Sequence, residues 1–300
     1  MHVKTWALIA GIAVFGAAQT SYAGDEPAPT AQDKRDTEVR TAFEAAGKVA
    51  VTGPHDVPLL KQAVLHLPPG YALFPQPEAN AVSHALGNQN NPRLVAIVMA
   101  ADKPSWMAFI DYVGDGYVKD DDAKNWDASG MLQNLKDGTE SANADRVARG
   151  FEPLEVAKWI EAPAYDSAQH RLVWSALVRK KGASGDEGSA NYNTYALGRE
   201  GHFELDLVSS AAAIEDNKPA AKELLSGIAF LDGKRYQDFD AKTDHIAEYG
   251  LAALVGGIAA KKLGLLAVMT GFALKFAKLI AVAVIALGAG IKSLFGRKSS

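Results

Sequence analysis

Short apolar or alternating runs, separated by turn-forming residues, fill the middle of the chain, and two to four helical stretches interrupt them. Period-two alternation and β-branched content predict strands over 62–67, 94–100, 106–113, 154–161, 171–179, 192–198 and 202–209. The last three follow one another directly and predict an antiparallel meander. Residues 182–189 (GASGDEGS) form the tip of its first hairpin, and Arg199-Glu200-Gly201 form a tight turn in its second. Helical periodicity predicts helices over 33–50, 77–86, 127–149 and 218–227. The expected fold class is α+β: an antiparallel sheet ending in a meander, packed with two to four helices and followed by a C-terminal transmembrane helix.

The two ends of the chain read differently from its middle. His2 and Lys4 precede an apolar run from Trp6 to Ala18, followed by polar residues and then by Ser21-Tyr22-Ala23, small at the positions a signal peptidase reads. This predicts a secretory signal over 1–23, cleaved after Ala23. Residues 24–47 then form a polar, proline-containing leader and the first helix, and 48–244 an exported α+β domain. A segment over 245–262 reads as a juxtamembrane amphipathic connector. From 263 to 291 the only charges are Lys275 and Lys278, and at a rise of about 1.5 Å per residue this stretch exceeds a hydrocarbon core of about 30 Å. It predicts an anchor over 263–295 in which Lys275 and Lys278 snorkel to one interface. A basic tail follows over 296–300, and its charges favour the cytoplasmic side. The expected location is the cytoplasmic (inner) membrane, with the main domain in the periplasm.

Charge sharpens this division. Residues 249–300 carry seven basic residues and no acidic one, which leaves 23 basic against 35 acidic residues between Gly24 and Glu248. So acidic a body does not neutralise phosphates, and no nucleic-acid partner is expected. The chain has no cysteine, which excludes disulfides, thiolate catalysis and Cys-containing zinc sites.

Catalytic signatures are missing: no GxSxG, SxxK, HExxH, Walker A or strand-linked GxGxxG occurs. The histidines never pair at metal-ligand spacing, so neither a metal site nor a cofactor is expected. The most chemically loaded segment is 111–127 (DYVGDGYVKDDDAKNWD). Its aspartates suggest oxygen ligands for calcium, but Val113 and Asp122 stand where an EF-hand loop needs a ligand and a bidentate glutamate. The simpler expectation is a turn at Gly114-Asp115-Gly116, with Asp120-Asp121-Asp122 capping the third helix. Trp106, Tyr117, Trp126, Trp159, Tyr165, Trp174 and Tyr192 are ring residues that either line a groove for sugars or peptides or fill the core. The candidate binding residues are Tyr117, Asp120, Asp121, Asp122 and Arg199, the last because an arginine in a tight turn can grip a carboxylate.

Several segments together resemble a family of bacterial, membrane-anchored proteins grouped as a domain of unknown function. They are Leu67-Pro68-Pro69-Gly70-Tyr71, residues 116–123 (GYVKDDDA), Trp159 with Pro163-Ala164-Tyr165-Asp166, and Asn191-Tyr192-Asn193. Residues 197–201 (LGREG), 233–239 (GKRYQDF), and Thr243-Asp244 leading into 249–254 (YGLAAL) complete the set. The resemblance implies an exported, membrane-attached α+β domain and carries no activity or catalytic residue with it. The functional expectation is therefore a non-enzymatic protein-interaction or scaffolding module, whose partners are the membrane and envelope or inner-membrane proteins. Two alternatives are an envelope hydrolase of glycan or peptide using paired carboxylates, and an ion or small-ligand sensor.

Overall fold

The computed structural model describes residues 31–256, apart from 89, 103, 104, 125, 149 and 150. The expected signal sequence, the anchor with Lys275 and Lys278, and the basic tail lie outside the described residues. Among the described residues no helix is long and apolar enough to cross a membrane.

The fold is α+β and is built on one large antiparallel sheet. The chain begins with α1 (Ala31–Val49), followed by β1 (Val51–Thr52), β2 (His55–Leu59), β3 (Ala63–Leu67), β4 (Tyr71–Pro75) and α2 (Glu78–Ala85). Then come β5 (Leu94–Ala100), β6 (Trp106–Val113), the short β7 (Tyr117–Lys119) and α3 (Ala128–Ala148). The second half holds β8 (Leu154–Asp166), β9 (Arg171–Lys180), β10 (Ser189–Leu197), β11 (His202–Ser210), α4 (Ile214–Gly227), β12 (Ile228–Phe230), β13 (Ile246–Gly250) and α5 (Ala252–Gly256). Eight strands join in the order β1-β4-β5-β6-β11-β10-β9-β8, with β12-β3-β2 as a smaller sheet and β13-β7 as a parallel pair.

The predicted meander forms as β9, β10 and β11, with Asn193 facing Trp174 on one side and Asp206 on the other. Alternation sorts its side chains. Tyr192, Phe203, Leu205 and Leu207 point to one face, where α4 (Leu224, Leu225) and the small sheet (Leu65, Leu67) close over them. The other face is covered in two separate pieces. Helices α1 and α2 bring Val39, Phe43 and Val82 against Phe74, Ile97 and Met107 on one half of the sheet. On the other half, α3, α5 and the β7–β13 pair bring Met131, Leu135, Val118, Leu251 and Val255 against Leu154, Trp174 and Tyr195. Burying a large apolar side chain contributes about 1.5–3 kcal/mol, so these three clusters are the main source of stability.

Helix α1, predicted over 33–50, spans Ala31–Val49, and Val39, Phe43 and Ala46 form the buried stripe at helical spacing that seats it on the sheet. One expectation changes here. The segment read as an amphipathic connector belongs to the fold. Its residues 246–250 form β13 beside β7, and Leu251 and Val255 are fully buried beyond it.

Between the two coverings, the sheet carries a polar strip. Asp111 alternates with Ile110 and Tyr112, and Glu204 and Asp206 alternate with Phe203, Leu205 and Leu207, so all three carboxyl groups face the side opposite the first cluster. Asn191 and Asn193 of β10 face the same way by the same alternation, flanking the inward Tyr192.

Candidate functional site

Five of the sequence segments described above meet at one corner of the molecule, where β7, the β8–β9 turn, the β10–β11 turn and residues 233–245 converge. The corner depends on a close backbone approach. Gly116 has a φ of +103°, and a Cβ on it would stand 2.6 Å from the carbonyl oxygen of His245. Without that atom, Tyr117 N–H donates to His245 O at 2.9 Å and Leu251 N–H donates to Lys119 O at 3.1 Å, tying the last strand alongside β7. Gly116 N–H also reaches Glu200 O at 3.2 Å, and Arg199 N–H reaches Lys234 O at 2.9 Å.

Arg199 grips a carboxylate of the chain itself, that of Asp244. Nε donates to Oδ2 at 2.7 Å and Nη2 to Oδ1 at 2.8 Å, a bidentate fork. The same carboxylate accepts from Asp240 N–H at 2.7 Å and from the Thr243 hydroxyl at 3.1 Å. Arg199 first, and these donors after it, hold the Asp244 carboxyl well below the usual range.

Tyr117 sits inside a column of rings. Phe239 stacks on it at 4.0 Å and Tyr236 at 4.3 Å, and His170 stacks on the far side of Tyr236 at 4.1 Å. The Tyr236 hydroxyl donates to Val118 O at 2.9 Å and fixes the column to β7. Both faces of Tyr117 are therefore covered by protein rings, and it offers no platform to a sugar. The other groove candidates divide between the two sides of the sheet: Trp106 and Tyr192 pack in the first cluster, and Trp126, Trp159, Tyr165 and Trp174 join Tyr117 in the third. Among the described residues the seven therefore do not line one groove.

Asp120 completes the corner. The Tyr165 hydroxyl donates to Asp120 Oδ2 at 2.8 Å, and His170 Nδ1 lies 3.2 Å from the same hydroxyl and 3.8 Å from the carboxylate. Since the phenol gives its proton to Asp120, it accepts from Nδ1, which assigns the neutral imidazole's proton to that nitrogen. Burial lowers the His170 pKa from its ordinary value, and burial together with Asp120 raises that of Tyr165.

The remaining two aspartates go separate ways. Asp122 is a helix cap, but for α5: its Oδ1 accepts from Leu251 N–H at 3.1 Å and its Oδ2 from Ala252 N–H at 3.0 Å. The third helix, α3, is capped instead by Asp127, which accepts from Ser129 N–H at 3.0 Å. The 3-10 turn over residues 121–124 separates Asp122 from α3 and turns it toward the C-terminal element. Asp121 is exposed and has no side-chain partner among the described residues. No group of three His, Asp or Glu among them is arranged to hold a metal ion, and the segment that suggested calcium ends in β6, β7 and caps.

Tyr117, Asp120 and Arg199 are thus brought together, and Asp122 serves the frame. Sequence reasoning missed their partners Tyr165, His170, Tyr236, Phe239 and Asp244. All but His170 stand inside the segments that carry the family resemblance, which was the available signal. A hollow of about 630 Å³ elsewhere is lined by Ile160, Glu187, Ile214 and, of the aromatic groove candidates, Trp159; it contains none of the five candidate binding residues.

No curated protein matches this chain. Among solved structures, the chain is similar to the solution structure of cyanobacterial PsbP (CyanoP) from Synechocystis sp. PCC 6803, at 9% identity and a TM-score of 0.39, over 61% of this chain and 91% of that one. The pattern defining the family described as "Protein of unknown function (DUF2167)" matches residues 51–288, which takes in every segment of the corner, and the chain belongs to that family.

Proposed function

We propose that this protein is a membrane-anchored envelope protein whose exported acidic domain is a non-enzymatic interaction or scaffolding module, and that the aromatic and acidic corner is its contact surface. The observation that carries this reading is the convergence of residues 116–123, 163–166, 197–201, 233–239 and 243–244 on one locked corner. It lies where α5 hands the chain on to its apolar, basic last stretch. Held between the anchor and the sheet, such a corner is presented at a fixed place above the bilayer.

The chemistry there favours recognition over turnover. Arg199 and Asp244 satisfy each other, Asp122 is committed to two backbone amides, and the rings face one another. The three consecutive aspartates that motivated a hydrolase therefore do not form an acid and base across a cleft. Asp121, Asp166 and Asp240 are exposed around the column, beside the exposed Lys119 and Lys242, and the three acids form a rim complementary to a basic partner surface.

The test is recovery of crosslinked partners from native membranes with the full-length chain, with an Asp121→Lys/Asp166→Lys chain, and with residues 251–300 alone. A partner recovered in stoichiometric amount with the first and lost with the other two is the expected result. Equal recovery with the charge-reversed chain moves the contact off the corner, and recovery of no specific partner rejects the module.

A further inference from the structure

The hollow beside β8 and an exposed turn at the other end of the sheet are complementary in shape and charge. β8 is the last strand of the large sheet, and its ladder with β9 slips between Val156 and Lys158 and again between Trp159 and Glu161. Regular alternation sends consecutive side chains to opposite faces; these two bulges bring Lys158, Trp159 and Ile160 to one hollow. Facing them are the β9–β10 turn and the start of α4, tied together by Ala211 N–H on Gly188 O at 3.0 Å. Ala211, Ala212 and the half-buried Trp159 and Ile160 form its walls, and the buried Leu177 and Ile214 lie beneath. Its rim is more acidic than its own lysines neutralise. Lys158 pairs with Asp186 at 2.8 Å, and Lys218 is shared between Glu215 at 2.7 Å and Glu161 at 3.0 Å. Glu187, exposed on the turn, forms no ion pair among the described residues.

The exposed turn joins β2 to β3. Gln62 N–H donates to Leu59 O at 2.9 Å, and the two residues between them, Leu60 and Lys61, both stand at positive φ, 52° and 61°. A turn of that shape favours asparagine and glycine, and a leucine in it is strained. The Leu60 side chain is nevertheless turned out to solvent, 54% exposed, and so is Leu231 beside it at 40%. Leu231 N–H donates to Gln62 O at 3.0 Å, and the Gln62 amide donates to Glu200 at 2.9 Å, so the turn is held firmly from behind. Lys61 is exposed and forms no ion pair among the described residues. The turn thus projects an apolar side chain and an ammonium group side by side, and backbone strain held in place at an exposed site points to recognition.

We propose that the hollow binds a second copy of this chain through that turn. Leu60 of one copy seats against Trp159, Ile160, Ala211 and Ala212 of the next, and its Lys61 pairs with Glu187 at the rim. An apolar pocket with an unpaired acid at its edge fits a leucine followed by a lysine, and the pairing fixes which way the turn enters. The contact gives the scaffolding reading above a named partner while using none of the candidate binding residues of the corner.

The contact is between copies and not within one. Gln62 holds the turn against Glu200 in the β10–β11 turn, whereas the hollow is lined by the β9–β10 turn, so the two stand at opposite ends of β10. Its nine residues span about 30 Å, and a chain does not reach its own hollow. One turn in one hollow buries less than the roughly 1,200 Å² of a stable complex, so the association is weak and grows where copies are held close together.

The chain has no cysteine, so thiols placed by substitution report on this contact alone. The experiment is oxidative crosslinking of mixed full-length chains carrying tags of different size, one with Leu60→Cys and the other with Ala212→Cys, both at exposed positions. The expected result is a mixed dimer in clear excess over the pair of Leu60→Cys with Ala144→Cys, a control on the exposed side of α3. Adding Lys61→Glu to the first chain lowers the yield about threefold or more, and adding Glu187→Lys to the second restores it, which a loss of folding would not do. An Asp121→Lys/Asp166→Lys background, which tests the corner, crosslinks as the parent does, so failure of one reading is not failure of the other. A yield no higher than the control, or one indifferent to both charge changes, overturns the proposal. So does an Ala212→Cys thiol shielded from a maleimide in native membranes equally with Lys61 and with Lys61→Glu, a result that gives the hollow to another occupant.

Discussion

Asp244 and Asp206 are the same residue type in one protein, held at opposite ends of the carboxyl range. Asp244 is gripped by a bidentate guanidinium, a backbone amide and a hydroxyl, and its carboxyl sits well below the usual values. Asp206 has one amide donor, two acidic neighbours and little water, and it is pushed up to about 8. The difference lies in the donors supplied. The corner provides cations and N–H groups for its acids, whereas the strip withholds them and its acids hold their protons.

The largest blow to the corner is loss of the ring at its centre. Tyr236→Ala removes a buried side chain stacked between Tyr117 and His170, and is expected to cost about 3–5 kcal/mol in denaturant unfolding. Tyr236→Phe, which keeps the ring and loses the hydroxyl's bonds to Val118 O and Tyr117, is expected to cost about 1 kcal/mol.

The strip responds in the opposite sense. A carboxyl raised in the folded state keeps a proton that the unfolded chain has lost, so stability is highest near pH 4 and falls as pH rises through about 8. Each pH unit of that window corresponds to about 1.4 kcal/mol at most. Asp206→Asn removes the proton from the comparison. It is expected to overtake the parent by on the order of 2–3 kcal/mol at pH 8, the gap closing as the pH falls toward 4. A pH series of unfolding midpoints that stays parallel for the two chains would contradict this.

Smaller again is the cap. Asp122→Ala is expected to destabilise by about 1 kcal/mol and to speed hydrogen exchange at Leu251 and Ala252 specifically. The smallest effect is one that acid erases. The stabilisation from Asp244, whose carboxyl is depressed, is present above the unfolded value of about 3.9 and is lost only as pH falls below it. Asp244→Asn lacks that contribution at neutral pH, so it shows a shallower decline on acidification.

The sheet was legible because its strands alternate. Residues 106–113, 171–179 and 202–209 were predicted almost to the observed ends, and the turns at 182–189 and 199–201 with them. β2 was hidden by its polar His55, Asp56 and Pro58, and β4 by its brevity after Pro-Pro-Gly. β13 read as an amphipathic helix because its pairing with β7 spans more than a hundred residues of chain, which no local pattern records.

The candidate site divides in the same way. Tyr117, Asp120 and Arg199 were visible as chemistry concentrated in a loop and a turn. Their partners Tyr165 and Asp244 each lie 45 residues along the chain from the group they bind. Asp111 was legible in principle, as a lone acid at an inward position of the apolar run Trp106–Val113. Its meaning required Glu204 and Asp206 on the neighbouring strand.

The pairing of β13 with β7 also has a mechanical side. Tension applied to the chain beyond Gly256 would pass first into α5, whose start is held by the two oxygens of Asp122 and by Leu251 N–H on Lys119 O. From there it would load β13 along its length against a parallel neighbour, a geometry in which hydrogen bonds share force in shear and do not open one at a time. The ring column rests on that same neighbour, so pulling on the C-terminal end of the chain would be felt at Tyr117 before it reached the sheet.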